Sequence, residues 1–315
     1  GGRYAACTRP PRKRDARENG GSGAPVLEDR KMDGCAGIND SREKEVSVLS
    51  RLSLNQITLN KLSLRQCVDL CARHNVKWIG PWRNKVAETG LAESAKIIRD
   101  AGLGVSGLCR GGYFPAGTAN ERAERIDDNR RAIDEAATLG TSTLVLVCGP
   151  APDRDIDAAR GMVVDGIAAV VDYARERGVK LAIEPLHPMF AADRSVICLT
   201  DEALEIAEKF DASDVGVTLD AFHIWWDRYL YEKLKRCTGR VLAFHVSDWA
   251  VPLPDVFAGR SMMGTGVIEL RRIRKAVDAA GYTGPIEVEI MNHAIWDRSG
   301  DDVRAEMVRA FEAHC

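Results

Sequence analysis

Short apolar runs alternate with amphipathic stretches from about residue 51 to the C-terminus, and this alternation constrains the fold more than any other feature. Apolar runs bounded by turn residues are typical of buried strands, and longer stretches with helical periodicity are typical of helices. The predicted strands are the eight segments 51–59, 76–82, 104–110, 141–149, 179–186, 215–223, 240–249 and 285–292. The predicted helices lie near residues 63–74, 91–101, 119–139, 155–177, 200–210, 227–237, 268–280 and 301–314.

Several predicted helices end in a glycine directly before the next strand, namely Gly140, Gly178, Gly239 and Gly281. Glycine is common at this position because it adopts the left-handed backbone conformation without strain. Eight strands alternating with eight helices over residues 51–315 have the count and length of a (β/α)8 barrel. The sequence therefore predicts an α/β fold, a single TIM barrel.

An open, doubly wound parallel sheet is the alternative arrangement of alternating strands and helices. Such a sheet usually carries a glycine-rich phosphate-binding loop directly after its first strand. Residues 57–61, where the first predicted strand ends, contain no glycine. This difference favours the barrel.

The first 50 residues differ in composition from the rest of the chain. They contain the segments RPPRKR (9–14) and ENGGSGAP (18–25) and a run of mixed charges, without sustained periodicity. Such a segment has too few apolar residues to build a core. The sequence therefore predicts a disordered N-terminal extension over residues 1–50 and one barrel domain over residues 51–315.

Charge and cysteine content narrow the class of protein. Lys and Arg total 44 and Asp and Glu total 46, and a net charge of −2 argues against nucleic-acid or anionic-membrane binding. No apolar run approaches the roughly 18 residues of a membrane span, and the N-terminus has no apolar signal segment. The nine cysteines are scattered without a CxxC pair, so we expect reduced thiols in a cytoplasmic protein.

Ionisable residues end the last four predicted strands, where a barrel of this type builds its active site. They are Glu184, Asp220, His245 and Glu289. In the sixth strand Val217 and Leu219 share one face while Thr218 and Asp220 share the other, and the other three strands alternate in the same way. We therefore expect all four ionisable side chains to point into the barrel and to meet at its mouth.

Three carboxylates in one buried pocket repel one another and need a compensating cation. Three carboxylates and one imidazole form a hard ligand set, which suits Mn²⁺, Mg²⁺, Co²⁺ or Fe²⁺ better than a thiolate-type zinc site. The alternative is that these residues form ordinary buried salt bridges. Apart from Lys180, the same strands offer no buried basic partner, so we expect a metal ion instead.

The chain resembles the xylose-isomerase-like TIM barrels, a family of sugar phosphate isomerases and epimerases. The resemblance spans residues 51–315 and is carried by LAIEPLHP (181–188), VGVTLDAFHIWWD (215–227), AFHVSDW (243–249) and PIEVEIMN (285–292). CRGGYFP (109–115) and GRSMMGTGVIEL (259–270) resemble a bacterial subgroup of the family. The resemblance implies one divalent metal ion, Mn²⁺ being preferred, held by Glu184, Asp220, His245 and Glu289.

The resemblance also implies a reaction, which is proton abstraction next to a carbonyl. In the family the metal binds the carbonyl and an adjacent hydroxyl and stabilises an enediolate. Glu184 and Glu289 would act as the acid/base pair, one removing the proton and the other returning it. The implied activity is that of an isomerase or epimerase of a ketose or cyclitol.

Further residues near the strand ends are candidates for substrate contacts. His223 lies three residues after Asp220, and in the family a histidine at this spacing contacts a substrate oxygen. The alternative for His223 and His187 is a structural role in a loop, and for the arginines it is an exposed surface position. The full set of candidates is His187, His223, Asp248, Arg260, Arg110 and Trp82.

The late loops indicate what the barrel mouth would accept. The segments GRSMMGTG (259–266) and NHAIWDRSG (292–300) carry little signal for phosphate. An apolar mouth lined by Met and Trp favours an unphosphorylated sugar, a cyclitol or a glycoside. Exposed Trp and Met loops would also suit the interface of a homo-oligomer.

Three other functions are compatible with parts of this pattern. A lyase, such as an inosose-type dehydratase or a 3-oxo C-glycoside deglycosidase, would use the same proton abstraction and then expel a leaving group. A DNA-repair phosphodiesterase of similar fold would need a multi-zinc cluster, for which six histidines and a net charge of −2 are poorly suited. A non-catalytic barrel that binds a sugar or a partner is the remaining alternative.

Overall fold

A ring of parallel strands forms the centre of the computed structural model, which describes residues 48–315. The strands are β1 (Leu52–Asn55), β2 (Trp78–Gly80), β3 (Gly104–Val105), β4 (Leu108–Gly112), β5 (Thr143–Val147), β6 (Lys180–Ile183), β7 (Val215–Asp220), β8 (Val241–Val246), β9 (Asp248–Trp249), β10 (Arg260–Ser261) and β11 (Ile286–Val288). All but β9 and β10 belong to one sheet in the order β3-β2-β1-β11-β8-β7-β6-β5-β4. The two ends of this order, β3 and β4, follow each other in the chain. The sheet therefore curls into the predicted barrel.

Helices surround this sheet between successive strands. They are α1 (Leu64–Arg73), α2 (Arg83–Thr89), α3 (Leu91–Asp100), α4 (Ala119–Leu139), α5 (Ile156–Ala168), α6 (Val171–Glu176), α7 (Thr200–Ala207), α8 (Ala221–Ile224), α9 (Leu230–Arg236), α10 (Leu270–Ala279), α11 (His293–Trp296) and α12 (Gly300–His314). The predicted C-terminal glycines behave as expected, and Gly140 ends α4 with φ of 80°. The alternation of strands and helices predicted from the sequence is therefore correct.

The third predicted strand is in fact two short strands. β3 pairs with β2, whereas β4 pairs with β5, and Ser106 and Gly107 separate them. An isolated bridge joins Trp82, just after β2, to Cys109 of β4. The third predicted strand thus pairs with β2 over its first part and with β5 over its second part. Nine short strands therefore form the barrel for which eight were predicted.

Other predicted boundaries also shift. The first strand ends at Asn55 instead of residue 59, and a 3₁₀ turn over Gln56–Leu59 follows it. Thr58 holds this turn against the end of β11, because its hydroxyl donates to the Val288 carbonyl and accepts from the Ile290 amide. The helix predicted over 155–177 is divided into α5 and α6, and α2, α8 and α11 are additional.

The barrel wall separates an apolar outer layer from a polar interior. Large residues of the last four sheet strands, such as Leu219 of β7 and Phe244 of β8, join the same buried core as helix residues such as Ile273 and Phe311. Inside the barrel the hydroxyls of Ser53 and Ser106 lie 2.8 Å apart. The alternation read from the sequence therefore sends apolar side chains to the helices and leaves the interior to polar groups.

The described residues bear on two more expectations. No described helix has the length and apolar character needed to cross a membrane. The seven cysteines within residues 48–315 are free thiols. Of the extension predicted over residues 1–50, residues 1–47 lie outside the part of the chain that the structure describes.

Candidate metal centre

Four ionisable side chains meet at the carboxyl ends of the barrel strands. Glu184 directly follows β6, Asp220 ends β7, His245 lies in β8 and Glu289 directly follows β11. Each offers one ligand atom, these atoms all lie within 4.8 Å of one another, and all four residues are buried. The structure thus brings together the four residues that the sequence predicts to meet at the mouth of the barrel. We call these four residues the strand-end cluster.

The imidazole of His245 is the best test of whether this cluster fits a metal ion. Its Nδ1 lies 3.4 Å from Oε2 of Glu289 and 3.7 Å from Oε1 of Glu184. Both ring nitrogens are buried and neither has a hydrogen-bond partner. A buried nitrogen that faces two carboxylates without a hydrogen bond is a suitable metal ligand. Together with three carboxylates it forms a hard donor set, as Mn²⁺, Mg²⁺, Co²⁺ or Fe²⁺ prefer.

The electrostatics of the cluster also favour a cation. Burial, reinforced by the Glu289 carboxylate, raises the pKa of Glu184 to about 8. Burial alone would lower the pKa of His245, but the carboxylates of Glu287, Glu289 and Glu184 outweigh it and raise that pKa to about 10. Protons thus compensate the crowded negative charge, and a divalent cation would take over that role by displacing them.

Arg260 supplies part of the positive charge that compensates the carboxylates of the strand-end cluster. The sequence argument missed this role. That argument considered basic residues on the same strands, whereas Arg260 reaches the cluster from β10, in the antiparallel pair with β9. Its Nη1 lies 2.6 Å from Oδ2 of Asp220 and 2.9 Å from Oε2 of Glu289, and the side chain is buried. Burial would raise the pKa of Asp220, but the Arg260 guanidinium holds that pKa well below its usual range. The centre therefore combines the predicted ligand set with a buried salt bridge.

Two other predicted contact residues line the cavity above the cluster. His223 lies at the end of a chain of polar contacts, with Nε2 3.1 Å from Nη2 of Arg260 and Nδ1 accepting from the His187 amide. Burial lowers the pKa of His223 to about 3, so the ring is neutral. Trp82 donates from its indole to Oδ1 of Asn55 at 2.8 Å. Both side chains are positioned to touch a small molecule above the cluster.

His187 and Asp248 are placed differently from the other candidates, because neither lines this cavity. The His187 ring lies between Trp226 and Trp249, with centroid distances of 5.4 and 5.0 Å. Buried Asp248 accepts four backbone N–H bonds, three of them from Gly264, Gly266 and Ile268. Its carboxylate is therefore engaged in holding the loop that follows β10.

The inner cavity has a volume of about 30 Å³ and adjoins a wider one of about 660 Å³. Both cavities share Trp82, Cys109, Arg110 and Phe257. Arg194 also lines the inner cavity and had no signal in the sequence, because it lies in the middle of the loop between β6 and α7. The inner cavity is lined by Trp82, Cys109, Arg110, Val147, Glu184, Leu186, Phe190, Arg194, His223, Phe257, Arg260, Glu289 and Met291.

Glu287 is a second acidic residue that the sequence argument passed over. It lies two residues before Glu289 on the same face of β11, and it is buried inside the barrel. Its Oε2 accepts a hydrogen bond from Asn55 at 2.8 Å, and its Oε1 lies 3.7 Å from Nε2 of His245. Burial raises the pKa of Glu287. The His245 ring is thus flanked by carboxylates on both of its nitrogens.

Gly80 makes room for Glu287, because a Cβ at position 80 would overlap its carboxylate. We expect Gly80→Ala to destabilise the protein by about 2 kcal/mol, as an overpacked core does. The free energy of unfolding in urea measures this effect. Gly161→Ala is the control, since a Cβ there meets no atom within 4 Å and alanine favours the helix. An equal loss in both variants would contradict the steric explanation.

Comparison with known proteins agrees with this architecture. Residues 65–312 match the family described as xylose isomerase-like TIM barrel. The solved structure of protein SMc04130 from Sinorhizobium meliloti 1021 is 47% identical, with a TM-score of 0.83 over 85% of this chain and 99% of that one.

Two curated relatives are more distant. An inosose isomerase of Bacillus subtilis is 25% identical over 173 residues, which are 53% of this chain and 60% of the relative. A 3-dehydroshikimate dehydratase of Pseudomonas putida is 25% identical over 190 residues, which are 56% of this chain and 28% of the relative. The chain thus spans less than two thirds of the length of these relatives. The family match over most of the chain, on a barrel with this strand order, shows that the protein belongs to the xylose isomerase-like TIM barrel family.

Proposed function

We propose that this protein is a divalent-metal-dependent isomerase or epimerase of a ketose or cyclitol, which moves a proton at the carbon next to a carbonyl. The observation that carries the proposal is the strand-end cluster, with three carboxylates and an unpartnered buried imidazole nitrogen at the mouth of the barrel. The inosose isomerase among its relatives supports the substrate class. Mn²⁺ is the ion we expect, because the donor set is mostly carboxylate.

All four residues of the strand-end cluster would hold the metal ion. When bound, the ion would supply electrophilic polarisation of the substrate carbonyl. The remaining requirement is a pair of bases that reach the substrate from different directions. Glu184 follows β6 and Glu289 follows β11, and β7 and β8 stand between them in the barrel wall. One carboxylate can therefore take a proton from carbon while the other delivers one.

Neutral and cationic groups of this chain complete the site. His223 is neutral and buried, so it can exchange hydrogen bonds with a substrate hydroxyl without adding charge. Arg260 fixes the Glu289 carboxylate at 2.9 Å and is itself stacked on the Phe222 ring. Trp82 and Phe190 give the cavity apolar walls that exclude water and can pack against the C–H face of a ring.

A lyase reaction at the same site is the second candidate. The 3-dehydroshikimate dehydratase among the relatives favours it, since elimination of water can begin with the same proton abstraction. The products discriminate between the two functions. An isomerase returns an isomeric sugar that carries deuterium from D₂O, whereas a lyase yields an unsaturated product and a leaving group.

Metal loading is the first test of the proposal. Protein purified without added metal, then loaded with Mn²⁺ and desalted, should hold about one ion per chain by elemental mass spectrometry, and chelation should remove it. At Mn²⁺ about 100-fold above its dissociation constant, the unfolding midpoint should rise by about 5 °C, because binding stabilises the folded state. Loaded protein should also exchange deuterium into a ketose or inosose. Absence of bound metal under every loading condition would contradict the proposal.

A further inference from the structure

Two arginines in the cavity wall have no acidic partner among residues 48–315. Arg110 belongs to β4 and lines both the inner and the wider cavity, and Arg194 lies in the loop after β6 and lines the inner one. Both side chains are half-buried, and the contacts that involve their guanidinium groups are with aromatic rings. A half-buried guanidinium without a counter-ion is costly, so these two positions need an explanation.

Two other arginines of the same cavities, Arg83 and Arg260, are neutralised by this chain. Arg83 in the wider cavity forms ion pairs with Asp128 at 2.9 Å and with Glu135 at 2.7 Å. Arg260 in the inner cavity is paired with two residues of the strand-end cluster. Arg125 of the wider cavity also forms no ion pair with a described residue, but it is exposed. Among the arginines of the two cavities that are at least half-buried, only Arg110 and Arg194 lack a carboxylate partner within residues 48–315.

Each of the two guanidinium groups lies over an aromatic ring. The Cζ of Arg110 lies 3.9 Å from the centroid of the Tyr113 ring. The Cζ of Arg194 lies 4.4 Å from the Phe257 centroid and 5.5 Å from that of Phe190. Stacking occupies the faces of a guanidinium and leaves its N–H donors, which lie in the plane, available for an oxyanion.

The charges that line the inner cavity do not balance once the proposed metal ion is included. Glu184 and Glu289 face Arg110, Arg194 and Arg260. The two glutamates would be committed to the metal ion, and Arg260 is committed to Asp220 and Glu289. Arg110 and Arg194 are therefore the positive charges in the cavity lining that no carboxylate of the lining pairs with.

We propose that Arg110 and Arg194 form an anion subsite, which binds a carboxylate or phosphate group of the substrate while its carbonyl end lies over the strand-end cluster. This inference rests on the proposed function, because it places the reacting end of the substrate at that cluster. It replaces the neutral sugar expected from the late loops by an anionic one. The loops after β8 and β11 carry no signal for this subsite, because its cationic residues come from β4 and from the loop after β6.

Three ketoses that differ at a single carbon test the subsite. D-fructose, D-fructuronate and D-fructose 6-phosphate carry a hydroxyl, a carboxylate and a phosphate at carbon six, and their binding to the Mn²⁺-loaded full chain can be measured by calorimetry. We expect at least one anionic ketose to bind about tenfold tighter than D-fructose, as a charge-assisted hydrogen bond allows. The tighter of the two identifies the anion. Equal binding of all three, or no measurable binding of either anionic ketose, would overturn the proposal.

Substitutions of the two arginines test whether they cause the preference for an anionic ketose. Arg110→Met and Arg194→Met should each remove most of the preference, because they weaken binding of the anionic ketose more than binding of D-fructose, while metal content stays unchanged; the Lys variants should retain part of the preference. Arg228→Met is the matched control, because Arg228 is stacked on Tyr229 at 5.3 Å but is exposed and lines neither cavity. A preference that survives in both cavity variants, or is lost in the control, would overturn the assignment.

Deuterium exchange separates this inference from the proposed function. A preference for anionic ketoses without deuterium exchange into any ketose would support the subsite and contradict the isomerase. Exchange into D-fructose, with equal binding of all three sugars, would support the isomerase and overturn the subsite.

Discussion

Glu289→Gln should lower turnover by about 10³-fold at saturating metal, because it removes one of the two groups that transfer a proton at carbon. Glutamine keeps the size of the side chain and one ligand oxygen, so the fold should persist. Arg260 loses one carboxylate partner but keeps Asp220 at 2.6 Å. Steady-state turnover and deuterium exchange, both on metal-loaded protein, measure the effect.

A second carboxylate serves as the control for this variant. Glu269→Gln removes an exposed carboxylate that pairs with Arg272 at 3.0 Å, remote from the cavity. We expect its activity to equal that of the unmodified protein. If Glu289→Gln retained near-normal turnover with full metal occupancy, the assignment of Glu289 as an acid or base would be wrong.

The barrel and the strand-end cluster could be predicted because both follow from local periodicity. Each of Glu184, Asp220, His245 and Glu289 occupies the inward face at the end of a run of alternating residues. A parallel barrel brings all carboxyl ends of its strands to one side, so a local pattern is sufficient to predict a site made by four distant segments.

Residues that reach the site from loops could not be predicted in this way. Arg260 was predicted as a substrate contact, but nothing local to it indicates that the β9–β10 pair brings it into ion pairs with Asp220, 40 residues away, and with Glu289. Arg194 lies in a loop whose course depends on tertiary contacts. Glu287 had a signal, since it shares the face of Glu289, but burial of a carboxylate below the mouth is not apparent from the alternation alone.

The strand boundaries that were wrong have a similar explanation. The sequence after Asn55 is apolar enough to continue a strand, but the Asn55 side chain accepts from the Ile57 amide and turns the chain. The third strand breaks at Ser106–Gly107, where the chain moves from pairing with β2 to pairing with β5. The turn after Asn55 is also held against the end of β11 by Thr58, so both changes involve contacts between segments that are far apart in the sequence.

The second large effect is expected for Asp220, which serves both the metal ion and the buried salt bridge. Asp220→Ala should lose the metal ion and lower the free energy of unfolding by about 3 kcal/mol, because Arg260 is left in a buried site with half of its partners. Asp220→Asn retains one acceptor oxygen, which can serve either Arg260 or the Phe222 amide, so it should keep more of the stability than alanine does. Its metal affinity should still fall by about 10²-fold, because a charged ligand becomes neutral.

Asp214→Asn provides a control on the same strand. Asp214 directly precedes β7 and pairs with Arg175 at 2.6 Å, so this change weakens an Asp–Arg pair at the opposite end of the barrel. Metal content and turnover should be unaffected in this variant.

Calorimetric titration of Mn²⁺ into all three variants and urea unfolding without metal separate the two roles of Asp220. Full metal occupancy in Asp220→Asn and Asp220→Ala would remove this residue from the ligand set and leave it as the partner of Arg260. Loss of metal in Asp214→Asn as well would show that metal binding responds to general destabilisation of β7, so that the effect at Asp220 would not identify a ligand.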